Sequence, residues 1–256
     1  MNPLRFQAPG PFRADQLRSG DPYELSRGHP IHVAPTGGRG GKAQSIAGAL
    51  IASDPAVEHS GADVGYSPDG GTLRAPDVSV LPSEPGPGWV KGVPSLAIEY
   101  ADVGQDEEGL RDKIDELLEK GTQVLWVVRM IGPRRVEVWT SEGMRLTHGG
   151  DVLEAPGILA NPVPVDALYD ANLGLELTLR NMLQRFGYRD MAAVRDEGRE
   201  EGRSAALRDA VRATLAARGL PLSAAVEAAL AGADPARLLT WVVRAGQVES
   251  AEDLLG

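Results

Sequence analysis

The chain contains no cysteine among its 256 residues. This absence excludes disulfide bonds, zinc sites built on thiolates and cysteine nucleophiles. Histidine is also scarce, with four in the chain, so a histidine-rich metal centre is not expected. No run approaches the roughly 18 apolar residues that a membrane helix needs, and the N-terminus lacks the apolar core of a secretory signal. We therefore expect a cytoplasmic protein.

A nucleotide-binding loop is missing as well. The glycine-rich stretch 36–41 leads into Lys42, as in a phosphate loop, but the next residue is Ala43. A Walker loop requires Ser or Thr after the lysine because that hydroxyl binds magnesium. Nucleotide binding is therefore not predicted.

The chain has fewer basic than acidic residues, and most of the difference lies in residues 1–170. The net charge is −10, with 15 basic against 24 acidic residues over 1–170 and 11 against 12 over 171–256. Proteins that bind nucleic acid gain most of their non-specific affinity from basic side chains on phosphates. Contact with DNA would therefore have to use a local basic groove.

Composition divides the chain into four segments. Residues 1–21 carry several prolines and predict an extended lead-in, whereas 22–170 mix strand-like and helix-like patterns. Residues 171–218 predict a long helical segment with a break at Gly187, and 219–256 predict a small helical cap. The first compact domain is therefore expected to end near residue 170.

Hydrophobic periodicity assigns the elements of the main domain. The pattern predicts a hairpin about Gly28, helices over Lys42–Ile51 and Glu107–Lys120, and strands over Val57–Tyr66, Val124–Val128 and Arg135–Trp139. Alternation of these elements predicts an α/β (α+β) fold, with a mixed sheet flanked by helices.

Two carboxylates stand in apolar, strand-like runs. They are Asp77, in a run that continues Val-Ser-Val-Leu, and Glu99, in Leu-Ala-Ile-Glu-Tyr-Ala. An unpaired charge is costly to bury, and a shared divalent cation would offset that cost. Lys113, on the following helix, would then offset the negative charge that develops on a phosphodiester during its hydrolysis. The alternative makes Asp77 a strand-entry residue after Pro76, Glu99 a surface carboxylate at a strand end and Lys113 a solvated helix residue. The residues alone leave the two interpretations open.

The order of several short motifs resembles the Uma2 family of restriction-endonuclease-like proteins, within the PD-(D/E)XK nuclease superfamily. The resemblance covers about residues 20–170 and rests on Tyr-Glu-Leu with Gly28, Ala-Pro-Asp-Val-Ser-Val, Pro-Ser-Leu-Ala-Ile-Glu, Lys113 with Gly121, and Val-Leu-Trp-Val-Val. It implies a restriction-endonuclease-like fold and an endonuclease that hydrolyses DNA with Mg²⁺ or Mn²⁺.

The resemblance also implies roles for single residues. Asp77 and Glu99 match the metal-binding carboxylates, and Lys113 matches a helix lysine common in the family. Glu24 matches a recurrent glutamate, either as an accessory site residue or as a structural residue of the hairpin. Two residues after Glu99, where the superfamily often has lysine, this chain has Ala101, so Lys113 must supply the positive charge if any residue does.

The C-terminal helical sequence resembles the tails of transposase-related nuclease-like proteins. We expect residues 171–256 to serve in oligomerisation or partner binding, and the superfamily resemblance implies a homodimer. Ala101 and the acidic balance also support a second interpretation, in which the chain is a catalytically weak or inactive nuclease-fold scaffold that binds a protein partner through this tail.

Overall fold

The structure, a computed structural model, describes residues 10–256. Its strands are β1 (Tyr23–Ser26), β2 (His29–His32), β3 (Ser60–Gly61), β4 (Val78–Val80), β5 (Leu96–Ala101), β6 (Val124–Arg129), β7 (Arg135–Thr140), β8 (Gly143–His148), β9 (Val152–Leu153) and β10 (Val163–Pro164). Its helices are α1 (Gly38–Ser53), α2 (Glu107–Glu119), α3 (Ala171–Arg185), α4 (Met191–Ala217), α5 (Ala224–Gly232) and α6 (Pro235–Ala245). In this part of the chain, no helix has the length and apolar character needed to cross a membrane.

A mixed six-stranded sheet with the order β3-β4-β5-β6-β7-β8 forms the centre of the first unit. The pair β5 and β6 is parallel and the other neighbours are antiparallel. Parallel neighbours need a crossover, and α2 supplies it between β5 and β6. The predicted mixed sheet flanked by helices is confirmed.

Strand β5 is buried on both faces. Side chains alternate across a strand, so Ile98 packs into the larger core with Leu50 of α1, whereas Ala97 packs into the core beneath Leu117 of α2. Every residue of β5 is buried. A charged residue in this strand, such as Glu99, therefore depends on partners inside the protein.

Several predicted elements are confirmed. Helix α2 matches the prediction over Glu107–Lys120, with the Asp106 side chain capping its first turn and Gly121 following it at φ +111°. Strands β6 and β7 also lie where predicted. The long C-terminal helix is interrupted at Gly187, which has φ +85°.

Two predictions about local structure need correction, and one strand was not predicted. Helix α1 begins at Gly38, so the glycine-rich stretch is its first turn rather than a link. The predicted strand Val57–Tyr66 shrinks to β3, because Asp63 takes a left-handed conformation (φ +52°) that interrupts pairing. Strand β8 is absent from the prediction.

The lead-in is packed rather than extended where it is described. Residues 1–9 lie outside the described residues, but Ala14 is buried within a short 3₁₀ turn. The Trp89 indole N–H donates to the Ala14 carbonyl at 2.9 Å, and the Phe12 backbone N–H donates to the Gly28 carbonyl at 2.7 Å. This segment therefore covers the β1-β2 hairpin.

The chain separates into two compact units, the first ending at Gly187 and the second spanning Tyr188–Gly256. The first unit extends beyond the predicted boundary near residue 170 because α3 packs on α1, burying Leu177. The second unit has a core of its own, in which the end of α4 packs with α5, α6 and the 3₁₀ turn Glu252–Leu254.

Gly174 permits the close approach of α3 to α1. A Cβ atom there would collide with the Ile46 side chain and lie 3.1 Å from the Ala167 carbonyl oxygen. Gly48, a helical glycine of α1 in the same unit, has no atom within 4 Å of the equivalent position. Alanine at Gly48 therefore tests helix propensity alone, whereas alanine at Gly174 also tests crowding between the helices.

We predict that Gly174→Ala lowers the free energy of unfolding by about 1–3 kcal/mol through overpacking. Gly48→Ala should instead raise it by roughly 0.5–1 kcal/mol, because alanine favours the helix. Urea denaturation followed by circular dichroism measures both. Equal effects of the two substitutions would contradict the proposed packing of α3 on α1.

Candidate active site

Asp77 and Glu99 meet at the junction of two neighbouring strands. Asp77 directly precedes β4, whose first residue Val78 pairs with Ile98, so Asp77 lies beside the Glu99–Tyr100 end of β5. The charge of Asp77 adds to the rise in the pKa of Glu99, as expected of two carboxylates that lie close together. The Tyr100 backbone N–H donates to Asp77 Oδ2 at 2.6 Å, which fixes the aspartate against the end of β5.

Lys113 reaches this pair from helix α2. The apolar residues Leu110, Ile114 and Leu117 fix the helix on the sheet, so the side chain of Lys113 lies beneath the helix rather than in solvent. Its Nζ atom lies 2.7 Å from Glu99 Oε1, 3.0 Å from Glu24 Oε1 and 2.7 Å from the Ala75 carbonyl oxygen. The sequence-predicted residues Glu24, Glu99 and Lys113 are therefore in direct contact.

Glu24 joins Lys113 to a second buried cation, Arg74. Arg74 is 2% exposed and lies 3.1 Å from Glu24 Oε2 and 2.7 Å from Glu116 Oε2. Glu116 also accepts from the Ser26 hydroxyl at 2.5 Å. The hairpin β1-β2 is thereby attached to helix α2 through ion pairs, so Glu24 has a structural role together with its place beside Lys113.

The buried cluster carries more negative than positive charge. It contains four carboxylates against the two cations Lys113 and Arg74, a formal charge of −2 when all are ionised; the carboxylates are Glu24, Asp77, Glu99 and Glu116. A divalent cation would neutralise this excess.

Burial and neighbouring charge shift the pKa values of the cluster. Burial raises the pKa of Glu99 to about 8, with Lys113 opposing the rise and the charges of Asp77 and Glu24 adding to it. Burial likewise raises the pKa of Asp77. Burial alone would lower the pKa of Lys113, but the charges of Glu24 and Glu99 outweigh it and raise that pKa, so the ammonium stays protonated.

The residues present fit a small hard cation. Asp77 and Glu99 offer carboxylate oxygens, and Mg²⁺ is commonly held by one or two carboxylates with water and substrate phosphates completing its shell. Over residues 10–256, no group of three or more His, Cys, Asp or Glu side chains is arranged to hold a metal ion. A cation here would therefore take its protein ligands from these two carboxylates.

Ala101 does not remove positive charge from this face of the sheet. Ala101 and Glu99 lie on the same side of β5, facing α2, and Ala101 is buried with Leu110 and Leu125. Lys113 approaches the same face from the helix. An ammonium therefore lies on this face of the sheet, brought there by α2.

Three residues of the cluster were not singled out from the sequence. They are Gln44, which donates to Asp77 Oδ1 at 2.7 Å, and the ion-paired residues Arg74 and Glu116. Gln44 did leave a signal, since it lies three residues before Ala47 and seven before Ile51 on the buried face of α1. A polar residue on such a stripe indicates a buried partner, whereas nothing near Arg74 in sequence indicates Glu24.

The raised pKa of Glu99 predicts how stability depends on pH. The folded protein holds this proton up to a pH of about 8, whereas the ordinary value is 4.5. The folded state therefore binds more protons across that window, and the free energy of unfolding falls as pH rises, by at most about 1.4 kcal/mol per pH unit for one group. Glu99→Gln, which cannot titrate, should flatten this slope in urea denaturation between pH 5 and 8.

Glu137→Gln is the matched control, because Glu137 forms a similarly shielded ion pair with Arg129 at 2.7 Å in the same sheet. It should keep the wild-type slope. Identical slopes in wild type and Glu99→Gln would contradict the burial-raised pKa of Glu99.

Comparisons with known proteins show the family of this chain and proteins of similar fold. The family model Uma2, described as "Putative restriction endonuclease", matches residues 12–162. A solved structure from Anabaena variabilis ATCC 29413, described as a "putative nuclease belonging to DUF820", is similar with 19% identity and a TM-score of 0.54, covering 62% of this chain and 98% of that one. None of the curated proteins matches the chain. Because the family model spans more than half of the sequence, the chain belongs to the Uma2 family.

Proposed function

We propose that this protein is a metal-dependent endonuclease that hydrolyses phosphodiester bonds in DNA, with Asp77 and Glu99 holding Mg²⁺ or Mn²⁺ and Lys113 assisting. The observation that carries the proposal is the position of the Lys113 ammonium, 2.7 Å from Glu99 on β5, the strand whose Tyr100 N–H holds the Asp77 carboxylate. The Uma2 family is described as "Putative restriction endonuclease" and the structural neighbour from Anabaena variabilis as a "putative nuclease", which supports the same class of reaction.

Lys113, Glu24 and Arg74 have different roles in the proposed reaction. A bound divalent cation supplies Lewis-acid polarisation of a phosphate and a lowered pKa for a bound water. Lys113 contributes a fixed positive charge near the reacting phosphate, because the charges of Glu24 and Glu99 keep it protonated. Glu24 positions that ammonium at 3.0 Å, and Arg74 in turn holds Glu24.

A buried lysine between two carboxylates also suits an inactive scaffold, and the acidic charge of the chain favours that alternative. In the scaffold, the ion pairs would serve folding alone and residues 171–256 would bind a protein partner. Cleavage assays separate the two functions, because substitutions in the cluster would then change stability without any activity to lose.

We predict that the wild-type chain nicks plasmid DNA with Mg²⁺ or Mn²⁺. Three substitutions should each lower the rate by about 100-fold or more: Asp77→Asn, Glu99→Gln and Lys113→Met. Each of them removes a cation ligand or a charge that acts on the transition state. Gel separation of supercoiled and nicked plasmid measures the rate. RNA of the same sequence tests the preference for DNA.

Glu137→Gln serves again as the control and should keep the wild-type rate, with circular dichroism verifying that each variant is folded. Equal background cleavage by wild type and Asp77→Asn would overturn the enzyme proposal, and so would cleavage that persists unchanged in excess EDTA.

A further inference from the structure

The Asp77 carboxylate is held at both of its oxygens by two different elements. Gln44 Nε2, on α1, donates to Oδ1 at 2.7 Å, and the Tyr100 backbone N–H, on β5, donates to Oδ2 at 2.6 Å. Two donors from fixed elements prevent rotation of the carboxylate. Since each carboxylate oxygen accepts two bonds, one acceptor position on each oxygen stays available in a defined direction.

Gln44 occupies a position where packing alone would favour an apolar side chain. It is 9% exposed and lies on the face of α1 that also buries Ala43, Ala47 and Ile51. Burying an amide costs free energy unless the amide is hydrogen-bonded, and here its donor is directed at Asp77. An amide also supplies a donor without adding a charge beside a carboxylate whose pKa burial already raises.

We propose that Gln44 is a positioning residue that fixes the Asp77 carboxylate in the orientation that binds the divalent cation. The inference rests on the proposed function, because it assumes that Asp77 is a cation ligand. Hydrogen bonds to a metal ligand orient it, and their removal commonly weakens metal affinity by about 10–100-fold. Gln44 acts through Asp77 and is not assigned any contact with substrate.

Asn181 offers a matched control on the same helix pair. It is 2% exposed on α3, and its amide donates to the Ser53 hydroxyl at 3.3 Å and the Leu50 carbonyl at 3.4 Å, near the end of α1. Gln44→Met and Asn181→Leu each replace a buried amide with an apolar side chain of similar size. Both should lower the melting temperature, but only the first removes a bond to Asp77.

The experiment measures Mn²⁺ binding to the full chain by the electron paramagnetic resonance signal of free Mn²⁺. We expect Gln44→Met to weaken binding by about 10–100-fold and Asn181→Leu to change it less than about twofold. Wild-type affinity in Gln44→Met would overturn the inference, as would equal losses in both variants, which would trace the effect to general destabilisation.

Asp77→Asn separates failure of the inference from failure of the proposed function. If wild type binds Mn²⁺, Asp77→Asn does not and Gln44→Met does, the inference alone is wrong. If wild type binds no Mn²⁺, both are wrong. Should Gln44→Met not fold, the side-chain amide resonance of Gln44 in the wild-type protein decides the matter: it should shift as Mg²⁺ is added, and an unchanged resonance at saturation would overturn the inference.

Discussion

The ion pairs of Lys113 are the interaction on which the rest of the site depends. One ammonium lies within 3.0 Å of both Glu24 and Glu99 and donates to the Ala75 carbonyl, so it joins the hairpin, the strand and helix α2 at a single point. Without it, Glu99 would lose its ion pair at 2.7 Å and Glu24 would keep only Arg74, and removing one partner of a buried pair commonly costs about 3–5 kcal/mol. The same contact keeps the ammonium protonated beside the carboxylate pair.

Buried charge connects the fold to the proposed chemistry. Strand β5 is buried on both faces, and this burial raises the pKa of Glu99 to about 8. Replacing a buried ion pair with apolar residues of similar volume is often neutral or stabilising, so buried ion pairs by themselves add little to the stability of a protein. The proposed cation site would give the arrangement a use.

Local pattern and resemblance together located much of this architecture. The apolar stripe of α2 and the uninterrupted apolar run of β6 are local signals, and both elements form where these signals predicted them. Helix α2 is the element that brings Lys113 to Glu99. The start of α1 could not be predicted because glycine disfavours helix, and tertiary packing overrides that preference. Strand β8 is mostly exposed and lacks a buried apolar pattern, so it left no clear periodicity.

The contacts of Arg74, Glu116 and Gln44 depend on tertiary structure and have little local signal. Arg74 and Glu24 are 50 residues apart, and Gln44 and Asp77 are 33 apart, so only the fold brings them together. The second unit, whose core forms from α4, α5 and α6, lies outside the family match at residues 12–162. A role of this unit in partner binding stays a prediction from its sequence character, and the homodimer stays a prediction from the resemblance.

The most direct test of a cation site at Asp77 and Glu99 is an anomalous diffraction measurement on crystals of the wild-type protein soaked in Mn²⁺ at about pH 8, where Glu99 ionises. We expect one strong peak between the two side chains, within roughly 2.5 Å of a carboxylate oxygen of each. Clear density for both side chains with no peak between them, at Mn²⁺ concentrations that saturate ordinary nuclease sites, would contradict the proposed site.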